Sequence, residues 1–515
     1  MGKILKGKSA KRNYIYNLLY QVFLFIVPLA TTPYISRVIG PSGIGQYSFS
    51  YSITSYFVLF ASLGFGYYAQ REIARHSQDR HAQSVIFFEI MICKLISTVL
   101  SMGINLILIY TNVYNEYTLL MKLLLINIAS TFFDITFFFQ GREEFGLIAI
   151  INVLSKTIGI ACIFIFVKNE DDLWLYTFFQ SFVLIFSSLL LWAFLIKRIG
   201  RVKLSELHFK RHIVPTLCLF IPTIATSVYT MLDKTLIGLM IEGNTTIAET
   251  APDGTITTII KKTSDIENGY YEQSEKVVKM AMAIITSLGT VMIPRNSKEV
   301  AEGHEEKLIE NIYKALRFTF LLGVPLTLGL IATANSFSPW FFGTGFEKVP
   351  YLIMIFSPIV LIIGLSNVLG LQYLIPKKND GKFTIAITSG AIINLCLNLI
   401  LIRFYKSYGA AIASVIAEFS VTTIMFIFVR KEISFLKMLK QCYKYIISGL
   451  IMFGVVFLTQ YFLKLDANPL FTMILVLEGA CTYFLLLFIL RDSAFIDGSK
   501  KIIGKLIPHI KKKNK

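Results

Sequence analysis

Several lysines lie inside long apolar stretches of the sequence, where a positive charge is unfavourable. Those that lie away from the ends of the stretches are Lys94, Lys156, Lys234, Lys276 and Lys279. A lysine at the centre of a bilayer costs about 2.5–3.5 kcal/mol on insertion scales, so these side chains must face water or acidic partners. Because Lys276 and Lys279 are three residues apart, they share one face of a helix. The lysines predict either an anion-binding cavity or a set of structural ion pairs.

Acidic residues near the lysines are candidates for ion pairing or for coupling to an ion. These candidates are Asp134, Asp233, Glu272, Glu275 and Glu418. Arg37 is a further basic candidate, which the predicted topology places in an outer loop. The sequence contains no P-loop, no HExxH and no paired cysteines with metal-ligand spacing. We therefore expect no metal, no cofactor and no catalytic residue.

The stretches that carry these charges are long enough to cross a membrane. Hydrophobic residues make up 55% of the 515 residues and charged residues 16%, and the mean hydropathy is +0.63. A helical span needs about 20 mostly apolar residues, and unbroken apolar runs exclude the alternating pattern of a membrane β-barrel. We predict an all-α polytopic membrane protein with about fourteen helices. They cover 14–36, 44–66, 84–110, 118–140, 146–167, 173–196, 213–240, 270–293, 312–335, 350–371, 383–402, 409–429, 444–463 and 468–490.

The positions of Lys and Arg predict the topology. With the N-terminus inside, 35 of them fall in inner segments and 8 in outer loops. Basic residues are enriched in cytoplasmic loops, so both termini are predicted to be cytoplasmic. No cleavable signal sequence is expected. The net charge of +18 then reflects topology, and nucleic acid is not an expected partner.

The sequence contains an internal repeat. VPLAT at 27–31 is similar to IPTIA at 221–225, and Gly45 and Gly269 each precede an arginine by 26 residues. Such repeats are typical of transporters, although chance similarity between apolar segments is the alternative. The repeat predicts four parts: an N-lobe at 1–200 with helices 1–6, a C-lobe at 201–430 with helices 7–12, helices 13 and 14 at 431–490, and a basic cytoplasmic tail at 491–515.

Short motifs in both halves carry a family resemblance. They are YISRVIGPSGIG at 34–45, LDKTLIG at 232–238, GYYEQSEK at 269–276, SLGTVMIPR at 287–295, and Asn394 and Asn398 followed by YGAA at 408–411 and Glu418. The chain resembles the oligosaccharide flippases of the MOP superfamily, of the Wzx type, over essentially its whole length. The resemblance implies a MATE-like fold, with two six-helix lobes around a central cavity and two appended helices.

The resemblance also implies a function and a substrate. The chain would translocate an undecaprenyl-diphosphate-linked oligosaccharide repeat unit across the bacterial cytoplasmic membrane, for capsule, exopolysaccharide or O-antigen synthesis. The residues expected to attract the diphosphate are Arg37, Lys94, Lys156, Lys234, Lys276 and Lys279. Anionic lipids, a polysaccharide polymerase and glycosyltransferases are the other expected partners.

The sequence alone leaves other functions open. Within the same fold, the chain could move lipid II, a teichoic-acid precursor or, with acidic cavity residues, a drug. A membrane polysaccharide polymerase is the alternative from another class, and a scaffold for glycosyltransferases is a third. A polymerase needs a large catalytic outer loop. The one loop of sufficient length, 241–268, contains no histidine for an acid–base set.

That long loop is where the chain departs from the family pattern. About thirty residues separate Gly238 from Gly269, where the family has a few. Pro252-Asp253-Gly254 is a turn sequence, and the segments on either side are rich in Thr and Ile, as strands prefer. We predict an extracellular β-hairpin at 243–267, with a disordered loop as the alternative.

Overall fold

Long apolar stretches form helices in the computed structural model, because a membrane span must satisfy its own backbone hydrogen bonds. The structure describes residues 10–250, 256–463, 466–492 and 495–496. The first eight helices are α1 (Ala10–Ser62), α2 (Phe65–Arg75), α3 (Arg80–Tyr110), α4 (Thr118–Phe133), α5 (Thr136–Gly141), α6 (Phe145–Phe166), α7 (Leu173–Leu195) and α8 (Ile213–Met240). Two strands follow, β1 (Asn244–Thr250) and β2 (Ile256–Lys262). The remaining helices are α9 (Thr263–Ala301), α10 (Glu305–Phe342), α11 (Val349–Phe356), α12 (Pro358–Leu369), α13 (Asp380–Val429), α14 (Phe435–Leu463) and α15 (Pro469–Ile489).

Two of these elements are each a pair of helices that meet at one non-helical residue. In α1 the break is at Gly40, with φ 69° and ψ 174°, a backbone conformation that glycine adopts without steric conflict. Pro41 then starts the second helix with its preset φ. In α13 the break is at Lys406, with φ 52° and ψ −128°.

The described helices confirm the predicted fold class. Eleven helical segments of the described chain are long and apolar enough to cross a membrane. Two of them, Ile26–Arg75 and Asp380–Val429, contain the breaks just described, and α8 is a further helix of 28 residues. Each of the fourteen predicted helices therefore has a counterpart in the structure.

The helices group into two compact units. The first unit comprises Met1–Glu272 and Asn398–Ala410, and the second comprises Gln273–Leu397 and Ala411–Lys515. This grouping follows contacts between helices, and α8 contacts both α1 and α2. The lobe bounds of 1–200 and 201–430 stay a prediction from the repeat.

Each unit has its own apolar core. In the first, the Phe87, Phe137 and Phe138 rings are fully buried, and Trp192 packs beside them while donating to the Phe133 carbonyl at 2.8 Å. In the second, the core is formed by α10, α12, α13, α14 and α15. The outward faces of α14 and α15 expose large apolar side chains, as expected for contact with lipid.

Two glycines allow α1 and α9 to cross at close range within the first unit. A Cβ on Gly45 would lie 1.6 Å from the Asp265 carbonyl oxygen and 2.9 Å from the Gly269 nitrogen. A Cβ on Gly269 would lie 2.0 Å from the Pro41 carbonyl oxygen. These are the two glycines that occupy matching positions in the sequence repeat, so the repeats meet through equivalent residues.

The segment between α8 and α9 contains an antiparallel strand pair. Its register runs from Asn244 opposite Lys262 to Thr250 opposite Ile256. At its base the Thr263 nitrogen donates to the Gly243 carbonyl at 3.0 Å. The predicted turn at Pro252-Asp253-Gly254 lies outside the described residues, as do residues 497–515 of the predicted basic tail.

Candidate functional site

Asp233, on α8, is a carboxylate buried in the first unit and only 6% exposed. It accepts hydrogen bonds from the Tyr271 hydroxyl and from Asn398 Nδ2, the latter at 2.5 Å. A buried charge is tolerated only when it is hydrogen-bonded or paired, and these two donors meet that need. Tyr271 comes from α9 and Asn398 from α13, so the carboxylate connects three elements of the unit.

Lys234, the next residue of α8, is also partnered. Its ammonium group binds the Glu272 carboxylate, which accepts a second hydrogen bond from Ser48 Oγ at 3.1 Å. The Lys234 backbone carbonyl accepts from Asn268 Nδ2 at 2.8 Å. Both charged side chains of the Lys234–Glu272 pair are largely buried, with 15% and 20% of their surfaces exposed.

These contacts define an α8 polar network, comprising Ser48, Asp233, Lys234, Tyr271, Glu272 and Asn398. It contains two carboxylates and one ammonium group, so its formal charge is negative. An anion would be repelled by the carboxylates, and the lysine is already neutralised. The contacts favour the ion-pair interpretation for Lys234 over a role in binding a diphosphate.

Lys94 lies in the core of the first unit. Its side chain donates to the backbone carbonyl of Asp134, and its ammonium group lies 5.3 Å from the centre of the Phe137 ring. The Asp134 carboxylate accepts from the Thr136 nitrogen at 2.9 Å, which stabilises the turn between α4 and α5. Lys94 therefore stabilises the short break between α4 and α5, and it is 4% exposed.

Lys156, on α6, differs from these lysines. It makes no hydrogen bond or ion pair with any residue that the structure describes, although it is more than half buried. It lines a cavity of about 190 Å³, the Lys156 cavity. The lining residues are Val27, Tyr47, Tyr51, Asn127, Lys156, Gly159, Ile160, Ile163, Gln180, Val183 and Leu184. No carboxylate belongs to this lining.

The other polar groups of the Lys156 cavity are neutral hydroxyls and amides. The Tyr47 ring packs against Tyr51 and Tyr176, with ring centres 5.7 and 5.0 Å apart. Gln180 Nε2 donates to the Tyr176 hydroxyl at 2.9 Å. The buried Oδ1 of Asn127 has no hydrogen-bond partner among the described residues. That oxygen is an acceptor, so it can take a hydrogen bond from water or from a donor group of a ligand.

The second unit contains the predicted pair on α9. Lys279 forms an ion pair with Glu275 at 2.7 Å, and half of the Lys279 side chain is exposed. Lys276 donates to Gln273 Oε1 at 3.4 Å. Glu418 is half buried on α13. The i, i+4 spacing thus neutralises Lys279 within its own helix.

Arg37 is the remaining predicted residue. It is exposed in the first unit, and its guanidinium donates to the Pro33 carbonyl at 3.1 Å, one turn earlier in α1.

One group of side chains in the described part of the chain has the spacing of metal ligands. Glu299, Glu302 and His304 place their ligand atoms within 4.8 Å of one another at the end of α9. His304 Nδ1 already lies 3.2 Å from the Glu299 carboxylate and 3.4 Å from that of Glu302. This arrangement is that of a surface ion-pair cluster.

Sequence reasoning missed the neutral residues that complete both sites. Tyr47, Tyr51, Asn127 and Gln180 line the Lys156 cavity, and Ser48 contacts Glu272. A signal was present, because amide and hydroxyl side chains inside apolar spans need partners. Which of them converge depends on the packing of α1, α4, α6 and α7.

Replacing Tyr271 with phenylalanine should destabilise the protein by about 1.5–3 kcal/mol, because the buried Asp233 carboxylate would lose one of its donors. Thermal unfolding of the purified protein in detergent measures the effect. Tyr67→Phe is the matched control, since Tyr67 is 76% exposed and forms no hydrogen bond with the described residues. Equal melting temperatures for the two variants would contradict a stabilising role for the hydroxyl.

Comparison with known families places these features in context. The sequence matches the family described as Polysaccharide biosynthesis protein over residues 10–299. It is also similar to an Escherichia coli (strain K12) protein described as an O-antigen transporter. The two are 24% identical over 427 residues, which cover 82% of this chain and 97% of that protein.

Solved structures show the same fold at lower sequence identity. The lipid II flippase MurJ in an inward closed conformation aligns with a TM-score of 0.70 and 16% identity, covering 94% of this chain and 99% of that one. An inward-facing multidrug resistance MATE family transporter of the MOP superfamily aligns with a TM-score of 0.60 and 14% identity, covering 84% of this chain and 97% of that one. The predicted MOP-superfamily fold is thereby confirmed.

Proposed function

Because the chain belongs to the polysaccharide biosynthesis protein family, we propose that it moves an undecaprenyl-diphosphate-linked oligosaccharide across the bacterial cytoplasmic membrane. The similarity to a protein described as an O-antigen transporter, over 82% of this chain, supports an oligosaccharide substrate. The MurJ-like fold supports a lipid-linked one. The product would enter capsule, exopolysaccharide or O-antigen synthesis.

One feature of the structure supports this proposal directly. Lys156 is a basic residue inside a membrane-spanning helix, it lines a cavity, and no described carboxylate neutralises it. A lysine in that position needs a polar partner, such as a carbonyl, water or an anion, and the described residues provide none for Lys156. The diphosphate of a lipid-linked glycan is such a partner, and Asn127 and Gln180 can donate to its oxygens.

We also propose an orientation of the chain in the membrane. The excess of Lys and Arg in alternate segments supports cytoplasmic termini. The strands β1 and β2 would then lie on the outer side. Anionic lipids would attract the basic residues near the C-terminus, and glycosyltransferases and a polymerase would act before and after transport. The transport step breaks no covalent bond, so the chain would act as a transporter and not as an enzyme.

Flipping of a defined substrate in proteoliposomes tests the proposal. A fluorescent undecaprenyl-diphosphate oligosaccharide would be placed in liposomes with the purified full-length protein, and a membrane-impermeant lectin would report the exposed fraction. We expect exposure to rise faster than in protein-free liposomes. Lipid II in the same assay separates the oligosaccharide from the peptidoglycan substrate.

Two results would reject the proposal. Rates equal to those of protein-free liposomes would exclude transport of this glycan. Longer glycan chains in the extracted lipid would indicate a polymerase instead, since flipping leaves the glycan unchanged.

A further inference from the structure

A second cavity of the first unit lies beside the strand pair. Residues of α1, α4, α7, both strands and the start of α9 line it. Its volume is about 690 Å³, within the range of roughly 300–1,000 Å³ typical of small-molecule sites. We name it the hairpin cavity. Its lining includes Gln46, Asp171, Trp174, Asn244 and Asp265.

Ion pairs attach β2 to the wall of this cavity. The Lys261 ammonium group lies 2.5 and 2.6 Å from the two Glu170 carboxylate oxygens, and 15% of the Lys261 side chain is exposed. Lys262 forms an ion pair with Glu116, which lies just before α4. A hairpin of two strands is marginally stable alone. The two ion pairs hold β2 in place as one wall of the cavity.

The neutral lining has the chemistry of a saccharide site. Trp174 exposes 45% of its surface, and Leu119 and Ile260 expose 56% and 69% of theirs. An indole face can contact the C–H face of a pyranose ring, and it combines an apolar body with one polar N–H. The Gln46 and Asn244 amides can each donate and accept, which matches sugar hydroxyls.

The charged groups of the lining favour some saccharides over others. The lining contains four carboxylates and two ammonium groups, and both ammonium groups are already paired with Glu170 and Glu116. Asp171 is exposed and forms no ion pair with the described residues. A diphosphate or a uronic acid would be repelled, whereas hydroxyl groups and an amino-sugar ammonium would be attracted.

We propose that the hairpin cavity binds the saccharide part of a glycan, with neutral or amino sugars, and does not bind its diphosphate. This inference rests on the proposed function only for the source of the saccharide, a transported glycan. The insertion between α8 and α9 would therefore supply sugar recognition at one end of the transport path. Trp174 is the residue expected to contact the sugar ring, and Asp171 the one expected to accept from its hydroxyl or amino groups.

Binding of water-soluble saccharides tests this inference separately from transport. Full-length protein in nanodiscs would be mixed with free tetrasaccharides of three kinds: neutral, amino-bearing and uronic-acid-containing. Saturation-transfer NMR detects the sugar protons that contact the protein. We expect signals from the neutral and amino sugars, at least five-fold weaker signals from the uronic acids, and a loss of at least five-fold in Trp174→Ala.

Control variants keep the result interpretable. Trp340→Phe changes a tryptophan of the second unit and should retain the signals. If Trp174→Ala does not fold, Asp171→Asn serves as the second variant and should weaken binding of the amino sugars most.

Three results would overturn the inference: no signal from any saccharide, signals unchanged in both variants, or strongest binding of the uronic acid. Saccharide binding without any glycan flipping would leave this inference standing and reject the proposed function.

Discussion

Lys156→Gln should reduce the initial rate of glycan flipping by about 10- to 150-fold, because a charge-assisted contact contributes about 1.5–3 kcal/mol. The substitution removes the positive charge that lines the Lys156 cavity and keeps a similar side-chain length. The proteoliposome assay with an undecaprenyl-diphosphate glycan measures the rate. Lys156→Arg keeps the charge and should retain more activity than the glutamine variant.

Lys122→Gln is the matched control for this experiment. Lys122 is also a lysine of a membrane-spanning helix, α4, but its side chain is exposed. Its replacement should leave the flipping rate within a factor of two. A Lys156→Gln protein that flips glycan at the normal rate would remove the observation on which the anion-site proposal depends.

Gly45→Ala should destabilise the protein by about 3 kcal/mol, at the upper end of the range for overpacking. The new methyl group would lie 1.6 Å from a backbone oxygen of Asp265, so α1 and α9 would have to separate. Because this oxygen belongs to the backbone, it cannot move aside by a side-chain rotation. Thermal unfolding in detergent, followed by size-exclusion chromatography, measures the loss.

Gly103→Ala provides the control for that substitution. Gly103 lies inside α3, and a Cβ there would meet nothing within 4 Å. Alanine is favoured over glycine within a helix by about 1 kcal/mol, so this variant should be as stable as the parent or more so. Equal stability of Gly45→Ala and the parent would show that the crossing of α1 and α9 is looser than the structure indicates.

The helices could be predicted from sequence because their signal is local. About twenty consecutive apolar residues specify a span, and Gly40 followed by Pro41 marks the division of α1. The strand pair also had a local signal in its Thr- and Ile-rich segments. The same reasoning applies to Lys279, whose partner Glu275 is one helical turn away.

The candidate site could be predicted only as a set of residue types. Lys94, Lys156 and Lys234 are equivalent in sequence, since each is a lysine within an apolar stretch. Their difference lies in partners that are distant along the chain: a backbone carbonyl for Lys94, Glu272 for Lys234, and no described partner for Lys156. Only the packing of helices reveals which charge is neutralised.

The assignment of α8 had a similar limit. A basic linker at 197–212 indicates where one set of helices ends in sequence. Whether the next helix packs with the preceding set depends on contacts such as that of Gly238 with the Phe49 ring. The lobe boundary at 200/201 therefore stays a prediction from the linker and the repeat.

The crossing at Gly45 and Gly269 also bears on the ancestry of the chain. Gly45 meets Asp265 and Gly269 meets Pro41, and the members of each matched pair, 45 with 269 and 41 with 265, are separated by the same number of residues. Reciprocal contacts of this kind define the interface of a symmetric dimer. In a dimer of half-length chains, one glycine would occupy both places, and a single substitution would damage the interface twice. In a single chain the two glycines are independent positions, so each repeat can specialise. The strand pair illustrates this, because it follows α8, whereas at the matching place in α1 the break at Gly40 leads directly into the next helix.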